Sequence, residues 1–395
     1  MELHSIFLYL AIILFLARIL GDTFGRLGLP PVLGEILVGV LLGKSVLGII
    51  EPSEVLKLLA EIGVILLLFH IGLEADIDQL KKVGISALVV ALVGAFTPML
   101  LGTLVSYYVV GLPLSVSLFI GGTLTATSIG ITVRVLDDLG KMKERFAQIV
   151  LGAAVLDDIF GVIVLAGLYE FSKEGVVHFD ALTLLVLYIG VFFIFSPILA
   201  QLMARIISLL SEKLRTEDFI PPTVVATIFL FAFMAREIGS PEILGAFTAG
   251  LALSRRFALP FALFLRTDEK LAQKVEHTIM PLVWVLTPIF FVYVGLQLNL
   301  KAIDFTSQRF WLLSLLILFV AVIGKVISGF FVEGSLREKL LIGFSMLPRG
   351  EVGLIFAEFG RQIGLYDHTL YAAVIFVVAV TTLMAPIVLK FLARE

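Results

Sequence analysis

The chain has 395 residues, 59% of them hydrophobic and only 15% charged, with a mean hydropathy of +1.09. So few charges cannot cover the surface of a water-soluble globule, and so much apolar residue excludes a disordered chain. A formal net charge of −3 carries no polyanion-binding signature, so no nucleic acid partner is expected, and the absence of cysteine excludes disulfides, thiolate nucleophiles and cysteine-held metals. The expected class is an all-α polytopic membrane protein, because the apolar runs are too long for barrel strands.

Breaks at charges, Pro and Gly divide the chain into apolar segments near 3–24, 30–50, 54–73, 83–111, 114–136, 146–170, 181–210, 219–238, 241–257, 276–298, 309–332, 337–361 and 368–392. That pattern predicts about 13 transmembrane helices of roughly 20 residues each. The first reads as a retained helix, since no small-residue cleavage site follows it. Between the ninth and tenth, Leu259–Lys274 mixes Phe261, Phe264 and Leu265 with Arg266, Asp268 and Lys270, the composition of a surface helix. An outside N-terminus and cytoplasmic C-terminus put 20 of the 29 Lys and Arg on the cytoplasmic side and 7 on the other. This bias favours that orientation in a cell membrane.

The two halves resemble each other. Gly28, Pro30, Gly34 and Gly39 recur as Gly239, Pro241, Gly245 and Gly250, 211 residues later. The segment Phe69–Leu73 matches Val292–Leu296, and Gly130-Ile131 matches Gly353-Leu354, both at an offset of 223. The offset corresponds to seven spans, an odd number, so the second copy is expected to lie inverted relative to the first. Inverted-topology repeats are a transporter architecture, with sites near mid-membrane where helices break.

Ionisable residues inside spans point the same way. The sixth span carries Asp157 and Asp158 in apolar surroundings, about 100° apart around a helix. One can pair with a fixed charge while the other faces a cavity. Lys325, deep in the eleventh span, is the candidate fixed charge for Asp157 or Asp158. The fifth span is interrupted by Thr123, Thr125, Thr127 and Ser128 beside Gly130, and the twelfth by Pro348, Arg349, Gly350 and Glu351. Two broken helices crossing there would expose carbonyl and hydroxyl oxygens, hard ligands for a small cation. The buried Arg349 and Glu351 would neutralise helix ends or each other. Glu35, Glu61 and Glu358 read as interface or span-end residues, and His70 as interfacial.

Taken together, the Asp157-Asp158 pair, the segment Thr125–Thr132, the Gly324-Lys325 pair and Pro348–Leu354 resemble sodium/proton antiporters of the second cation/proton antiporter family. The resemblance covers essentially the whole chain. It implies a core domain of 83–170 and 309–395 moving against a dimerisation scaffold of 1–82 and 171–308, in a homodimer. It also implies that Asp158 carries the cation and the proton, that Asp157 pairs with Lys325, and that Thr127 and Ser128 complete cation coordination at the crossing. Adjacent aspartates imply electrogenic exchange. Asp157 and a chain ending at Glu395 favour sodium over potassium.

The expected function is secondary antiport of sodium or lithium against protons. Both are substrates, the metal ion held by Asp158, and no cofactor, enzymatic activity or protein partner beyond the homodimer and membrane lipid is expected. The alternatives are a potassium/proton antiporter, a sodium-coupled organic-anion symporter and a channel. An intramembrane aspartyl protease needs two carboxylates facing across one water, which neighbours on one helix do not provide.

Overall fold

A computed structural model describes residues 3–27, 29–74, 77–174, 179–214, 219–254, 269–298, 300–349 and 351–393. Among the described residues there are fifteen α-helices and no strand. In chain order they are α1 (Leu3–Arg26), α2 (Pro31–Leu42), α3 (Glu54–Glu74), α4 (Ile77–Leu104), α5 (Leu114–Thr123), α6 (Ile129–Asp138), α7 (Arg145–Glu174) and α8 (Phe179–Leu214). There follow α9 (Ile220–Glu237), α10 (Glu242–Leu253), α11 (Glu269–Gln297), α12 (Gln308–Val326), α13 (Leu336–Ser345), α14 (Glu351–Gln362) and α15 (His368–Ala393). Among the described residues nine are long and apolar enough to cross a membrane: α1, α3, α4, α7, α8, α9, α11, α12 and α15.

The other predicted spans have a different form. Among the described residues of the segments 30–50 and 241–257, helix is confined to α2 and α10, each 12 residues, or about 18 Å. Each begins next to a proline that cannot donate to a preceding turn: Pro30 and Pro31 at α2, Pro241 at α10. The spans 114–136 and 337–361 are each split into two half-helices, α5 with α6 and α13 with α14. Of the predicted surface helix, residues 255–268 lie outside the described set, and from Glu269 the chain is already in α11. His70 is buried in the last turns of α3 rather than interfacial.

Local chemistry fixes the helix ends. Ser307 and Ser335 accept hydrogen bonds from the amides of Phe310 and Glu338, capping α12 and α13, and Asp367 does the same for α15 through Leu370. In the turn before α12, Asp304 accepts from the hydroxyl and amide of Thr306, which hold its carboxyl below the usual carboxylate range.

Two compact units result. One comprises Met1–Glu54, Val83–His178 and Phe291–Glu395; the other comprises Val55–Lys82 and Phe179–Phe290. By packing, therefore, 1–54 and 291–308 group with the helices of the expected core. Within the first unit an apolar core joins α5, α12, α14 and α15 through Phe119, Ile120, Phe310, Phe356, Ala373 and Val377.

Glycine contacts repeat between the units. In the first, Gly39 lies against the backbone of Val292 and Leu296, and Gly295 against that of Ile36 and Val40. In the second, Gly250 lies against Phe69 and Leu73, and Gly72 against Phe247 and Leu251. Offsets of 211 for the α2/α10 partners and 223 for the α3/α11 partners convert one set into the other, residue for residue. At each glycine a Cβ would come within 2.3 Å of a carbonyl oxygen, so the helices meet backbone to backbone.

Candidate ion-binding site

The two split spans cross through their extended centres. α5 ends at Thr123, residues 124–128 run without regular helix, and α6 begins at Ile129; α13 ends at Ser345, and α14 begins at Glu351. Backbone groups freed by the breaks find partners across the crossing. The Ser128 amide donates to the Pro348 carbonyl at 2.8 Å, and the Thr127 hydroxyl donates to Met346 O at 2.9 Å. Thr132, one turn further on, donates to Ser345 O at 2.6 Å. These bonds meet the requirement that polar backbone in an apolar interior be satisfied.

Arg349 lies at the same crossing, buried, with Nη1 donating to Ala126 O at 2.5 Å. Its own carbonyl accepts the hydroxyl of Thr382 from α15. Among the described residues its Nε and Nη2 have no hydrogen-bond partner, and neither has the buried Ser128 hydroxyl. Glu351 opens α14, and its side chain lies outside the described set.

The acidic pair sits in the middle of α7. Asp157 is 0% and Asp158 2% exposed. Lys325 near the end of α12 is also 0% exposed, and its Nζ donates to both Asp157 oxygens, at 3.1 Å to Oδ1 and 3.0 Å to Oδ2. Asp158 and Arg349 are the further charges acting on Lys325.

Gly324 sets this lysine's position. A Cβ there would stand 2.7 Å from Pro98 of α4, so only a glycine lets α12 approach closely enough to carry Lys325 into the interior. Ser328, in the 3₁₀ turn that continues α12, bonds the Lys325 carbonyl and closes the helix beneath it. Two nearby charges buried with good geometry offset each other's desolvation, whereas either one alone would not be tolerated.

The structure thus brings Thr127, Ser128 and Arg349 together at the crossing, and Asp157 and Lys325 into one ion pair, with Asp158 next along α7. Sequence reading missed Thr132 and Thr382, which tie the crossing to α13 and α15. Their signal was present: Thr132 lies one helical turn past Ser128, and Thr381-Thr382 is a hydroxyl pair inside an apolar helix. It also missed Arg134, counted as a loop charge, which lies half-buried beside the buried Glu35.

A family model described as "Sodium/hydrogen exchanger, transmembrane" matches residues 11–395. The chain belongs to the sodium/hydrogen exchanger family. It is 36% identical over 390 residues to the Na(+)/H(+)-K(+) antiporter GerN of Bacillus cereus, covering 98% of this chain and 95% of GerN. It is 34% identical over 319 residues to the high-affinity Na(+)/H(+) antiporter NhaS3 of Synechocystis, covering 80% of this chain and 66% of NhaS3. Among solved structures, the sodium proton antiporter MjNhaP1 of Methanocaldococcus jannaschii superposes with a TM-score of 0.75 at 19% identity, over 100% of this chain and 98% of the other. At that identity the likeness establishes a shared fold.

Proposed function

We propose that the chain exchanges sodium or lithium ions for protons across a membrane by alternating access, with Asp158 as the common carrier. The observation that supports this most is a fully buried ion pair, Lys325 with Asp157, beside a second buried acid, Asp158, on the same helix. Asp157 is engaged by Lys325 through both oxygens, and the next residue along α7 is a second buried carboxylate. A fixed ion pair beside a second acid is what competition requires. A proton or an alkali ion on Asp158 gives a neutral load that crosses, whereas the bare charge is held back by the cost of an apolar barrier. The Ser128 hydroxyl, which has no hydrogen-bond partner among the described residues, and backbone carbonyls at the helix breaks are the hard oxygens offered to the ion.

The finer reading follows the resemblance: the second cation/proton antiporter family, 13 spans with inverted repeats, and electrogenic exchange. It also includes a core of 83–170 and 309–395 moving on a dimeric scaffold of 1–82 and 171–308, with the N-terminus outside a cell membrane and the C-terminus cytoplasmic. The paired glycine contacts at two fixed offsets support the repeat. The distribution of basic residues supports the orientation.

Potassium is the second reading, favoured by the similarity to GerN, whose name includes potassium exchange. Proton flux in proteoliposomes, driven by sodium, lithium or potassium with and without a membrane potential, decides among them. No flux with any of these ions overturns the proposal.

A further inference from the structure

Away from the crossing, at the end of the protein where α1 gives way to α2, three ionisable side chains meet that ion exchange at Asp158 does not use. Asp138, the last residue of α6, pairs with Arg134 of the same helix at 3.1 Å. Its carboxylate also accepts the Val32 amide in the first turn of α2, a turn that Pro30 leaves without a side-chain cap. The charges of Arg134 and Asp138 therefore answer each other.

Glu35 is the surplus. It stands one turn into α2, is 5% exposed, and reaches Arg134 Nη2 only at 3.9 Å through Oε1. Its Oε2 is buried without a hydrogen-bond partner among the described residues.

The other groups around Glu35 do not balance it. On α1, Gly21 leaves room for Oε1, while Arg18 and Asp22 pair with each other at 3.2 Å in exposed positions. On α6 the remaining charge is the exposed Asp137. α11 meets α2 through Val292, Gly295 and Leu296, which carry no charge. Lys390 of α15, which packs on α6, directs its ammonium to the Leu27 carbonyl at 3.5 Å. Two carboxylates and one guanidinium leave one negative charge over, and it falls on Glu35, the buried member of a half-buried cluster; an interior group in that position holds a counter-ion or a proton.

We propose that Glu35 is a second proton-binding site, separate from Asp158, in exchange with the solution on the side where α6 ends. Its location gives the proton a consequence. In the proposed division of roles α2 belongs to the scaffold and α6 to the moving core, so this step rests on that reading. A charged Glu35 draws Arg134 and tightens the α2–α6 contact; a protonated one releases it. The proton on Glu35 then sets how readily α6 leaves α2, and so shapes the pH dependence of exchange.

Infrared difference spectra of the purified full chain, recorded between acid and alkaline pH, test the site without relying on transport. The wild type is expected to show protonated carboxyl stretches from Glu35 and Asp158. Glu35→Gln, which keeps the shape, is expected to lose one band, and Asp158→Asn the other. Glu35→Gln in proteoliposomes is expected to lose one limb of the pH–rate profile. A full set of carboxyl bands in Glu35→Gln overturns the proposal. So does removal of the Glu35 band by lithium at constant pH, which would make the site an alkali-ion site. Glu35→Asp keeps the charge and is expected to keep a band, separating proton binding from a folding defect. If Asp158→Asn sustains exchange while the Glu35 band persists, the exchange mechanism fails and this site stands.

Discussion

Removing the ammonium of Lys325 is the sharpest perturbation the structure offers. Its Nζ lies 3.0 and 3.1 Å from the two oxygens of Asp157, and both side chains are fully buried. Breaking such a pair from one side leaves an uncompensated interior charge, which costs about 3–5 kcal/mol. Against a net stability on the order of 10 kcal/mol, that is a large fraction. Lys325→Met keeps most of the volume and removes only the charge, so packing loss adds little. Asp157→Asn is expected to cost a similar amount from the other side. The double variant removes both charges and is expected to recover much of the loss, with a coupling energy of about 1–3 kcal/mol. Thermal unfolding of the purified protein in one detergent, read for the four members of the cycle, measures this directly. Additive losses, or single variants melting with the wild type, would refute the claim that this pair is an energetic unit.

The remaining predictions concern the site and its supports. Asp158→Asn is expected to abolish sodium-driven proton flux in proteoliposomes and the proton release that accompanies sodium binding in calorimetry; release at wild-type level contradicts the carrier assignment. Gly324→Ala forces a Cβ to 2.7 Å from Pro98 and is expected to destabilise by about 1–3 kcal/mol, seen as a lower unfolding temperature. Thr127→Val removes the hydroxyl that bonds Met346 O and is expected to cost about 1–3 kcal/mol through the unsatisfied carbonyl. Ser128→Ala is expected to weaken sodium binding with little change in unfolding temperature, because its hydroxyl has no hydrogen-bond partner among the described residues.

Much of this architecture is legible in the chain because membrane helices must satisfy their own backbone, so long apolar runs convert directly into α1, α3, α4 and α7. Interruptions are legible for the same reason: Pro348 and the threonine cluster mark places where that satisfaction fails locally. The lengths of α2 and α10 were not legible, since Leu47, Ile49 and Ile50 are as apolar as helical residues, and only the backbone shows that the helix ends near Gly43. The burial of Glu35 against a half-buried Arg134 was not legible, because the two lie far apart in sequence and charges near span ends are more often solvated. Spacing left the partner of Lys325 open between two neighbouring acids a rotation of about 100° apart; the resemblance implied Asp157, and in the structure Lys325 Nζ donates to Asp157.

Helix ends of both signs meet at the crossing: each carries roughly half an elementary charge, negative at a C-terminus and positive at an N-terminus. α5 and α13 end there and α6 and α14 begin there, so the half charges of the four ends offset one another. Arg349 lies in the same break, and its Nη1 bonds Ala126 O, just beyond the end of α5. The charge of Lys325 meets Asp157. On the proposed mechanism Asp158 is answered in turn by a proton or an alkali ion, so a further cation fixed on that acid would remove the need for either and abolish exchange.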